Sequence, residues 1–537
     1  MVVEGSPRVG PAPSVDRDAR ASGGRRAAVA GVLASAVALG VSELIAGLST
    51  HVPSLVAAVG TAVIDAVPAG VKDLAIAVFG LFDKVALVVG TVLIAGASGA
   101  VLGTLAARRF WAGAVGFMAF GLAGLAAASR DPQASLVPTV AATALATAVG
   151  VAALSVLLAR AATEPATAPL SSPRKAAEPM VPRGGRRQFL RLATGVAAAA
   201  AVTAAGGRVL TQRSAASVAR AGVVLPPPAA RLAAPPDAAS LDVDGITPLF
   251  TPNDAFFRID TALSIPRVDP SDWRLAVTGM VDRPLSFSYD DLLAMPHIET
   301  DVTLLCVSNE VGGDLAGNAR WSGVPLATVL ERAGVGVGAT QVVGRSVDGW
   351  TSGFPTEAAL DGRDTLIAVA MNGEPLPLRH GFPARLVVPG LYGYVSATKW
   401  LAEIELTTWE GFDAYWIPRG WSKEGPVKTQ SRIDVPGGGS TVAQGRVTVA
   451  GVAWGGLRGV ERVEVSVDGG AWQEAKLAEP LGDATWRQWV WLWQARPGRH
   501  ALAVRATDGE GAVQTGRASP PAPDGATGHH TVRVEVS

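Results

Sequence analysis

Cysteine and charge are what this sequence has least of. One cysteine occurs in 537 residues, which excludes an internal disulfide framework, iron–sulfur clusters held by several thiolates and zinc sites built from several cysteines. Charged residues make up 17% of the chain, against roughly 25% in an average protein, and 49% of the residues are hydrophobic. This composition excludes a disordered polar chain and argues against a wholly soluble globule. The 46 basic and 46 acidic residues cancel, so no electrostatic footprint for nucleic acid is expected.

The charge deficit is concentrated in the N-terminal third. Four stretches there have about the 20 apolar residues that a helix needs to cross a bilayer: 27–48, 85–107, 110–129 and 136–159. The first contains Glu43, which is either a functional intramembrane carboxylate or a group near the outer end that reaches the interface. Two shorter apolar pieces, 54–64 and 71–82, are interrupted by prolines and charges, as is typical of interfacial or re-entrant segments. The sequence therefore predicts a four-span membrane domain over residues 27–160.

Basic residues flank these stretches, and the positive-inside rule places them in the cytoplasm. A cytoplasmic tail is expected at 1–26 and a cytoplasmic linker at 161–188. The linker leads into the motif Gly185-Arg186-Arg187-Gln188-Phe189-Leu190-Arg191, and a weakly hydrophobic, alanine-rich fifth span is predicted at 189–207. This arrangement resembles a twin-arginine export signal, although a basic flank on a fifth helix is the alternative. The resemblance implies export machinery as a partner and a C-terminal part that crosses the membrane already folded.

The rest of the chain divides by its pattern into a linker and two soluble domains. Prolines and alanines at 208–243 predict an extended linker. From 244 to 435 short β-rich runs alternate with short helical windows, which indicates an α+β domain. From 436 to 537 alternating apolar and polar residues between turn signals predict a β-sandwich. Trp489, Trp491 and Trp493 would share one sheet face, where core packing is favoured over a binding platform.

These patterns place individual elements along the soluble half. The predicted strands of the α+β domain are 273–277, 299–305, 341–344, 365–371, 384–388 and 399–406. Its predicted helices are 288–294, 325–333 and 356–360. The predicted strands of the sandwich are 441–450, 460–467, 486–493, 498–507 and 531–536.

The single cysteine, Cys306, lies where a short apolar strand gives way to a polar, glycine-rich loop. A lone cysteine is most often a small buried hydrophobe. Its position at a strand end, facing a loop, favours a thiolate that acts as a nucleophile or as a ligand of a soft metal. A nucleophile would need a neighbouring histidine, and no histidine of the soluble half sits in a recognisable protease signature.

Several motifs around Cys306 resemble, in chain order, the sulfite-oxidase family of molybdopterin enzymes, in which one cysteine sulfur holds the metal. They are Thr251–Arg258, Thr303–Gly313, Gly317–Leu326, Met371–Pro377, His380–Arg385, Val388–Gly390 and Lys399-Trp400. The resemblance covers about residue 244 to the C-terminus. It implies a molybdenum–molybdopterin cofactor, two-electron oxygen-atom transfer on a small-molecule oxo substrate, and a C-terminal Ig-like domain of the kind that often mediates homodimers.

Carried over residue by residue, the resemblance makes Cys306 the protein ligand of the metal. It places Arg258 and Arg320 where they would hold the oxo substrate. The residues implied to hold the pterin and its phosphate, or to lie beside them, are Asn253, Phe257, Arg258, Asp348, His380, Arg385, Thr398 and Lys399. A buried phosphate needs guanidinium, ammonium and N–H donors to offset its desolvation. The alternative for His380 is a hydrogen-bonded core histidine.

The sequence also departs from the family. Sulfite-oxidising members continue the cysteine loop into paired arginines, whereas here Glu310 would repel an anion if it faced the pocket. The family's active-site tyrosine has two candidates, Tyr394 and Tyr415, and Trp421 occupies the same region. The spans carry no histidine for a b-type haem, and Cys-x-x-Cys-His is absent. Neither haem nor an iron–sulfur cluster is therefore expected, and a separate redox partner is required.

The leading hypothesis is a multi-domain, multi-pass protein of the cell membrane. It has about five spans, an α+β molybdopterin domain and an Ig-like sandwich, with the catalytic domain on the extracytoplasmic side. Its substrate is a small oxo-anion or an S-/N-oxide. A sulfoxide-type reductase with the same cofactor and a non-catalytic membrane scaffold that retains the fold are the alternatives.

Overall fold

The computed structural model describes residues 15–67, 71, 78–79, 83–161, 184–212 and 215–537. They belong to two compact units, Met1–Ser214 and Ala215–Ser537. Most of the expected cytoplasmic linker (162–183), most of the apolar piece 71–82 and the first part of the expected tail (1–14) lie outside the described residues.

The first unit is helical. Its described helices are α1 (Val15–Leu48), α2 (Leu55–Ala66), α3 (Asp83–Arg108), α4 (Phe110–Ala128), α5 (Leu136–Ala161) and α6 (Gly184–Gln212). By length and composition, five helices among the described residues could cross a membrane: Gly23–Leu48, Lys84–Arg108, Phe110–Ala128, Leu136–Ala161 and one that begins at Arg187. The predicted long apolar helices are thereby confirmed, while the number of spans and their sidedness stay predictions.

Small residues bring the helices of the first unit close together. A Cβ added to Gly31 of α1 would lie 1.8 Å from the carbonyl oxygen of Gly99 in α3, so glycine is required where these backbones meet. Glu43 of α1 accepts a hydrogen bond of 2.6 Å from Ser54 Oγ, and Ser54 is also the N-cap of α2. The Glu43 carboxylate thus has a local partner within the helical unit.

The second unit begins with a segment that we call the strap, residues 215–241. It contains α7 (Ala215–Gly222) and a 3-10 turn at Asp237–Ala239. Arg220 Nε of α7 donates to the carbonyl oxygen of Leu376 at 2.8 Å, and the backbone N–H of Leu241 donates to Gln488 Oε1 at 2.7 Å. From residue 215 the expected linker 208–243 is therefore part of the folded unit, because its backbone groups find hydrogen-bond partners there.

The α+β part of the second unit contains two sheets. Its strands are β1 (Arg274–Gly279), β2 (Leu285–Ser288), β3 (Ile298–Leu305), β4 (Ala316–Pro325), β5 (Gln341–Ser346), β6 (Thr351–Pro355), β7 (Leu366–Met371), β8 (Glu374–Pro375), β9 (Arg385–Val387) and β10 (Leu401–Thr407). One sheet has the order β2-β1-β10-β5-β6, and the other has β3-β4-β7-β8 with β9 paired to β7. The β1–β10 pair is parallel, and β7 is buried along its whole length.

Four short helices complete this part: α8 (Tyr289–Ala294), α9 (Leu326–Ala333), α10 (Glu357–Leu360) and α11 (Gly393–Ser396). A capping box starts α8, since Ser288 Oγ accepts from the N–H of Asp291 and the Asp291 carboxylate accepts from the N–H of Ser288. The strands and helices predicted for this domain are confirmed to within two residues at each end. The strands β2, β4, β6 and β8 were not among those predictions.

The C-terminal part is a two-sheet β-sandwich. Its strands are β11 (Gln430–Val435), β12 (Thr441–Val442), β13 (Gly445–Trp454), β14 (Arg462–Val467), β15 (Gln473–Glu474), β16 (Lys476–Leu477), β17 (Arg487–Ala495), β18 (Gly498–Thr507) and β19 (His530–Val536). The sheets have the orders β11-β13-β17-β16 and β12-β19-β18-β14-β15. Because β11 pairs with β13, the first sandwich strand precedes the expected boundary at 436.

The tryptophans of β17 are core residues, as predicted. Trp489 is 0% and Trp493 is 5% exposed, and both belong to the hydrophobic cluster between the two sheets. Trp491 is half-buried and packs against the same cluster. The sandwich is therefore observed, and its Ig-like topology stays a prediction.

Candidate functional site: a cleft beside Cys306

A cleft opens at the C-terminal end of β3, where Cys306 follows the last strand residue. It contains about 920 Å³ of empty space when its open mouth is included. The polar and ionisable side chains that line it include Asp260, Cys306, Ser308, Ser346, Asp348, His380, Arg385 and Lys399. Its aromatic lining consists of Phe256, Phe257, Trp350, Tyr394, Trp400, Trp416 and Trp421.

The loop after Cys306 is held closed by its own hydrogen bonds. The N–H of Cys306 donates to the carbonyl oxygen of Leu315 at 3.0 Å, and the N–H of Leu315 donates to Asn309 Oδ1 at 2.8 Å. Cys306 is buried, and this burial raises the pKa of its thiol, an effect that hydrogen bonds with Ser308 and the charge of Lys399 oppose. A nucleophilic cysteine needs a lowered pKa, so this environment does not favour a nucleophile.

A metal at Cys306 would need ligands from outside the polypeptide. Among the described residues no group of three or more His, Cys, Asp or Glu side chains could hold a metal ion. One thiolate does not saturate a transition metal, which takes four or more ligands. The single thiolate of Cys306 therefore fits a metal that is bound by an organic cofactor, which supplies the other ligands.

Arg385 is a buried cation in the cleft lining. Its guanidinium donates to the carbonyl oxygens of His380 (3.1 Å), Leu386 (3.4 Å) and Ala397 (3.5 Å) and lies 5.0 Å over the ring of Trp321. No carboxylate among the described residues forms an ion pair with it, and burial lowers its pKa to about 9. A buried guanidinium without a counter-ion is costly, and the arrangement fits an anionic ligand.

Lys399, Arg258 and Asp260 form a second charged cluster. Asp260 Oδ2 lies 2.9 Å from Lys399 Nζ and 2.7 Å from Arg258 Nε, and its side chain is 5% exposed. Burial lowers the pKa of Lys399 to about 8, and the Asp260 carboxylate opposes that shift. Arg258 itself does not line the cleft, so it acts on the site through Asp260. Asp260 was not among the predicted site residues.

His380 lies at the cleft and is also hydrogen-bonded within the fold. It lines the cleft, and its Nε2 lies 3.0 Å from the carbonyl oxygen of Asn253. Burial, followed by the charge of Arg385, lowers the pKa of His380 to about 3, so the ring is neutral near pH 7. Asn253 lies outside the cleft lining, and its Oδ1 accepts a hydrogen bond from Asn372 Nδ2 at 2.9 Å. Its contact with His380 through the backbone carbonyl connects it to the site.

Two further predicted site residues also lie outside the cleft lining. Thr398 is fully buried, and its Oγ1 is 2.7 Å from Ser352 Oγ. Arg320 donates to both carboxylate oxygens of Asp301, each at 2.8 Å. This position does not support the predicted substrate-holding role of Arg320, because Asp301 already neutralises its charge.

Aromatic rings form one wall of the cleft. The ring centroids of Tyr394 and Trp421 are 5.9 Å apart, and those of Trp416 and Trp421 are 6.4 Å apart. The Tyr394 hydroxyl donates to the carbonyl oxygen of Ser422 at 2.6 Å. Of the candidate residues for the family tyrosine, Tyr394 and Trp421 thus line the cleft whereas Tyr415 does not.

Glu310 is exposed and stands outside the lining. The anticipated repulsion between its carboxylate and an anion in the pocket therefore does not arise from the cleft wall.

Comparisons with known proteins agree with this geometry. Residues 262–416 match the family model of the oxidoreductase molybdopterin binding domain, and residues 426–516 match the Mo-co oxidoreductase dimerisation domain. Sulfite oxidase of Arabidopsis thaliana is 32% identical over 297 residues, 45% of this chain and 75% of its own length. The human mitochondrial sulfite oxidase is 36% identical over 290 residues, 46% of this chain and 52% of its own length.

Two further proteins show similarity. The uncharacterised oxidoreductase YuiH of Bacillus subtilis is 38% identical over 157 residues, 29% of this chain and 76% of its own length. Among solved structures, the sulfane dehydrogenase SoxCD of Paracoccus pantotrophus superposes with a TM-score of 0.48 at 25% identity, covering 54% of this chain and 82% of that one.

The matched regions define an oxidoreductase molybdopterin binding domain and a Mo-co oxidoreductase dimerisation domain. The chain belongs to the sulfite-oxidase family, and it spans about half the length of the mitochondrial relatives that it matches. The expected molybdenum–molybdopterin cofactor is confirmed at this level. Its anionic phosphate and its own metal ligands fit the buried Arg385 and the single thiol of Cys306.

Proposed function

We propose that this chain is a membrane-anchored oxidoreductase that transfers an oxygen atom and two electrons at the cleft beside Cys306. The reaction balances as substrate plus water giving the oxygenated substrate, two protons and two electrons, or as its reverse. The observation that carries the proposal is the placement of the only cysteine in one cleft with Arg385, a buried cation without a carboxylate partner among the described residues.

Different residues of the cleft would bind the metal and the pterin of the cofactor. Cys306 would be the protein ligand of the molybdenum, and Arg385, Lys399 and neutral His380 would hold the pterin and its phosphate. When bound, the cofactor supplies the oxygen-atom chemistry, while the protein orients the reactants and sets the local charge. Electrons would pass singly to or from a separate redox partner.

The anchoring and export parts of the proposal rest on the helical unit. Arg186 and Arg187 lie in the first turn of α6, directly before its apolar stretch, as an export signal read from the cytoplasm requires. The catalytic unit would then act outside the cytoplasm. The match of residues 426–516 to a dimerisation domain supports a homodimer through the sandwich.

A second candidate function is reduction of sulfoxide-type substrates with the same cofactor. The cysteine continues into Val307, Ser308 and Asn309 where sulfite-oxidising members have arginines, and aromatic rings line the cleft. Such a surface favours organic substituents over a small oxyanion.

The first experiment measures molybdenum and pterin in the purified full-length protein and turnover with an artificial electron dye. We expect stoichiometric cofactor, and we expect Cys306→Ser to abolish turnover without unfolding the chain. Ala316→Ser is the matched control, because it adds a hydroxyl at a buried position next to the site that does not line the cleft. Absence of molybdenum from the wild-type protein, or unchanged turnover of Cys306→Ser, would refute the proposal.

A second experiment addresses export. Replacing Arg186 and Arg187 by lysine is expected to leave the catalytic unit inside the cell, protected from external protease. Arg208→Lys near the other end of α6 is the control and should behave as wild type. Normal external exposure after the double replacement would contradict the export assignment.

A further inference from the structure

Two cations assigned to anion binding, Arg258 and Lys399, already share one carboxylate. We infer that Asp260 is a specificity-determining residue that discriminates against anionic substrates, so that the cleft accepts uncharged oxygen-atom donors or acceptors such as organic sulfoxides, amine oxides and thioethers. This inference rests on the proposed function and names its substrate class.

The Asp260 side chain is buried and contacts two cations, of which Lys399 is buried and Arg258 is exposed. Its Oδ2 lies 2.7 Å from Arg258 Nε and 2.9 Å from Lys399 Nζ, and its Oδ1 lies 3.2 Å from Arg258 Nη2. The Asp260 side chain is 5% exposed and that of Lys399 is 11% exposed. Both ammonium and guanidinium therefore face a counter-charge before any ligand arrives, and an incoming anion would have to compete with Asp260 for them.

The ionisable side chains of the cleft lining carry as much negative as positive charge, and Arg258 adds one positive charge beside Asp260. Asp260 and Asp348 oppose Arg385 and Lys399 in the lining, while His380 is neutral near pH 7 because burial lowers its pKa to about 3. The pterin phosphate would add further negative charge. An oxyanion would then enter a site without net positive potential, whereas an uncharged oxide would meet no such barrier.

Aromatic side chains in the lining provide surface for organic groups. Trp350, Trp416 and Trp421 line the cleft, and aromatic faces gain most from contact with apolar or polarisable substituents. Arg320, the other cation assigned to substrate, is paired with Asp301 outside the lining. Charge and shape thus favour the same substrate class.

For an organic sulfoxide the balanced reaction combines the sulfoxide with two electrons and two protons and yields the corresponding thioether and one water. The sulfur is reduced and the sulfur–oxygen bond breaks. The electrons come from a one-electron carrier, for which a reduced viologen dye substitutes in the assay, and the protons come from solvent.

The test compares the loaded wild-type enzyme with Asp260→Asn. Turnover is measured with methyl phenyl sulfoxide and reduced dye and with sulfite and oxidised dye, and sulfate affinity is measured by calorimetry. We expect the wild type to favour the sulfoxide in kcat/KM. We expect Asp260→Asn to bind sulfate about tenfold more tightly or better, since a unit negative charge is removed beside the buried Lys399 and the guanidinium of Arg258. The KM for the sulfoxide should change much less.

Asp361→Asn is the matched control, because Asp361 is also ion-paired with an arginine, Arg363 at 2.6 Å, but does not line the cleft. Its sulfate affinity should equal that of the wild type. If Asp260→Asn does not retain cofactor, Arg258→Gln gives the same test with opposite sign. It leaves Asp260 less neutralised and should weaken sulfate binding.

The inference is overturned if the wild type prefers sulfite, if Asp260→Asn leaves sulfate affinity unchanged, or if Arg258→Gln tightens it. Failure of the proposed function has a different signature, namely a protein without molybdenum and without turnover of either substrate. A molybdenum-loaded enzyme that prefers sulfite would refute only the inference about Asp260.

Discussion

Replacing Arg385 by methionine should stabilise the cofactor-free protein while abolishing cofactor retention. The pKa of Arg385 falls from an ordinary 12.5 to about 9 because the guanidinium is buried. At about 1.36 kcal/mol per pKa unit, holding the charge in the cofactor-free fold costs about 5 kcal/mol. The folded-state pKa lies below the unfolded one, so this cost applies in full near pH 7 and shrinks only as the pH rises above about 9.

The contacts that methionine loses are smaller. Three hydrogen bonds to carbonyl oxygens, two of them at 3.4 and 3.5 Å, contribute about 1 kcal/mol each. The contact over Trp321 contributes about 1 kcal/mol more. The removed desolvation cost therefore exceeds the lost contacts by about 1 kcal/mol, and the unfolding midpoint should rise by about 2 °C.

Tryptophan fluorescence of the full-length protein, purified from cells that cannot make the cofactor, measures this change. Of the 14 tryptophans only Trp111 precedes residue 273, so the signal reports on the second unit. Arg345→Met is the control, because Arg345 is paired with Glu405 at the surface of the fold and its loss should cost at most about 1 kcal/mol. A midpoint several degrees lower for cofactor-free Arg385→Met, or normal molybdenum content in that variant, would refute the reasoning.

Three further outcomes are expected. Asp301→Asn should lower the free energy of unfolding by about 3 kcal/mol, since it removes the carboxylate that pairs with Arg320. The kcat of the loaded enzyme should not change, because neither residue lines the cleft. A large fall in kcat would support a substrate-binding role for Arg320. Ser288→Ala removes the capping box with Asp291 and should cost about 1 kcal/mol in denaturant unfolding, with an unchanged midpoint counting against it. Trp489→Ala should cost about 3–5 kcal/mol, because that ring is 0% exposed between the sandwich sheets, and light scattering would show dissociation if the sandwich holds the dimer.

Strands with a local signature could be predicted from the sequence, and those without one could not. The apolar run before Cys306 marks β3, so the position of the cysteine at a strand end follows from the pattern alone. By contrast, β4 reads Ala-Gly-Asn-Ala-Arg-Trp-Ser-Gly-Val-Pro and shows neither alternation nor a continuous apolar run. It is a strand because β3 and β7 pair with its two edges, which is information from distant parts of the chain.

The same distinction separates the site residues that could be predicted from those that could not. Cys306, His380, Arg385 and Lys399 lie in motifs of the family, and the cleft brings them together. The pairing of Arg320 with Asp301 depends on strand register, since these two residues face each other across β3 and β4. The place of Asp260 in the site could not be predicted from the sequence, because its partner Lys399 is 139 positions away in the chain.

The strap has a consequence for the order in which the chain folds. Its Leu241 bonds to Gln488, 247 positions later in the chain, and the N–H of Glu479 donates to the carbonyl oxygen of Ala238. At about 5–20 residues per second, a ribosome needs roughly 12–50 s to make the intervening chain. The strap is therefore among the first parts of the second unit to be synthesised and among the last to form its native contacts. When those contacts form, the sandwich of the catalytic unit is already folded.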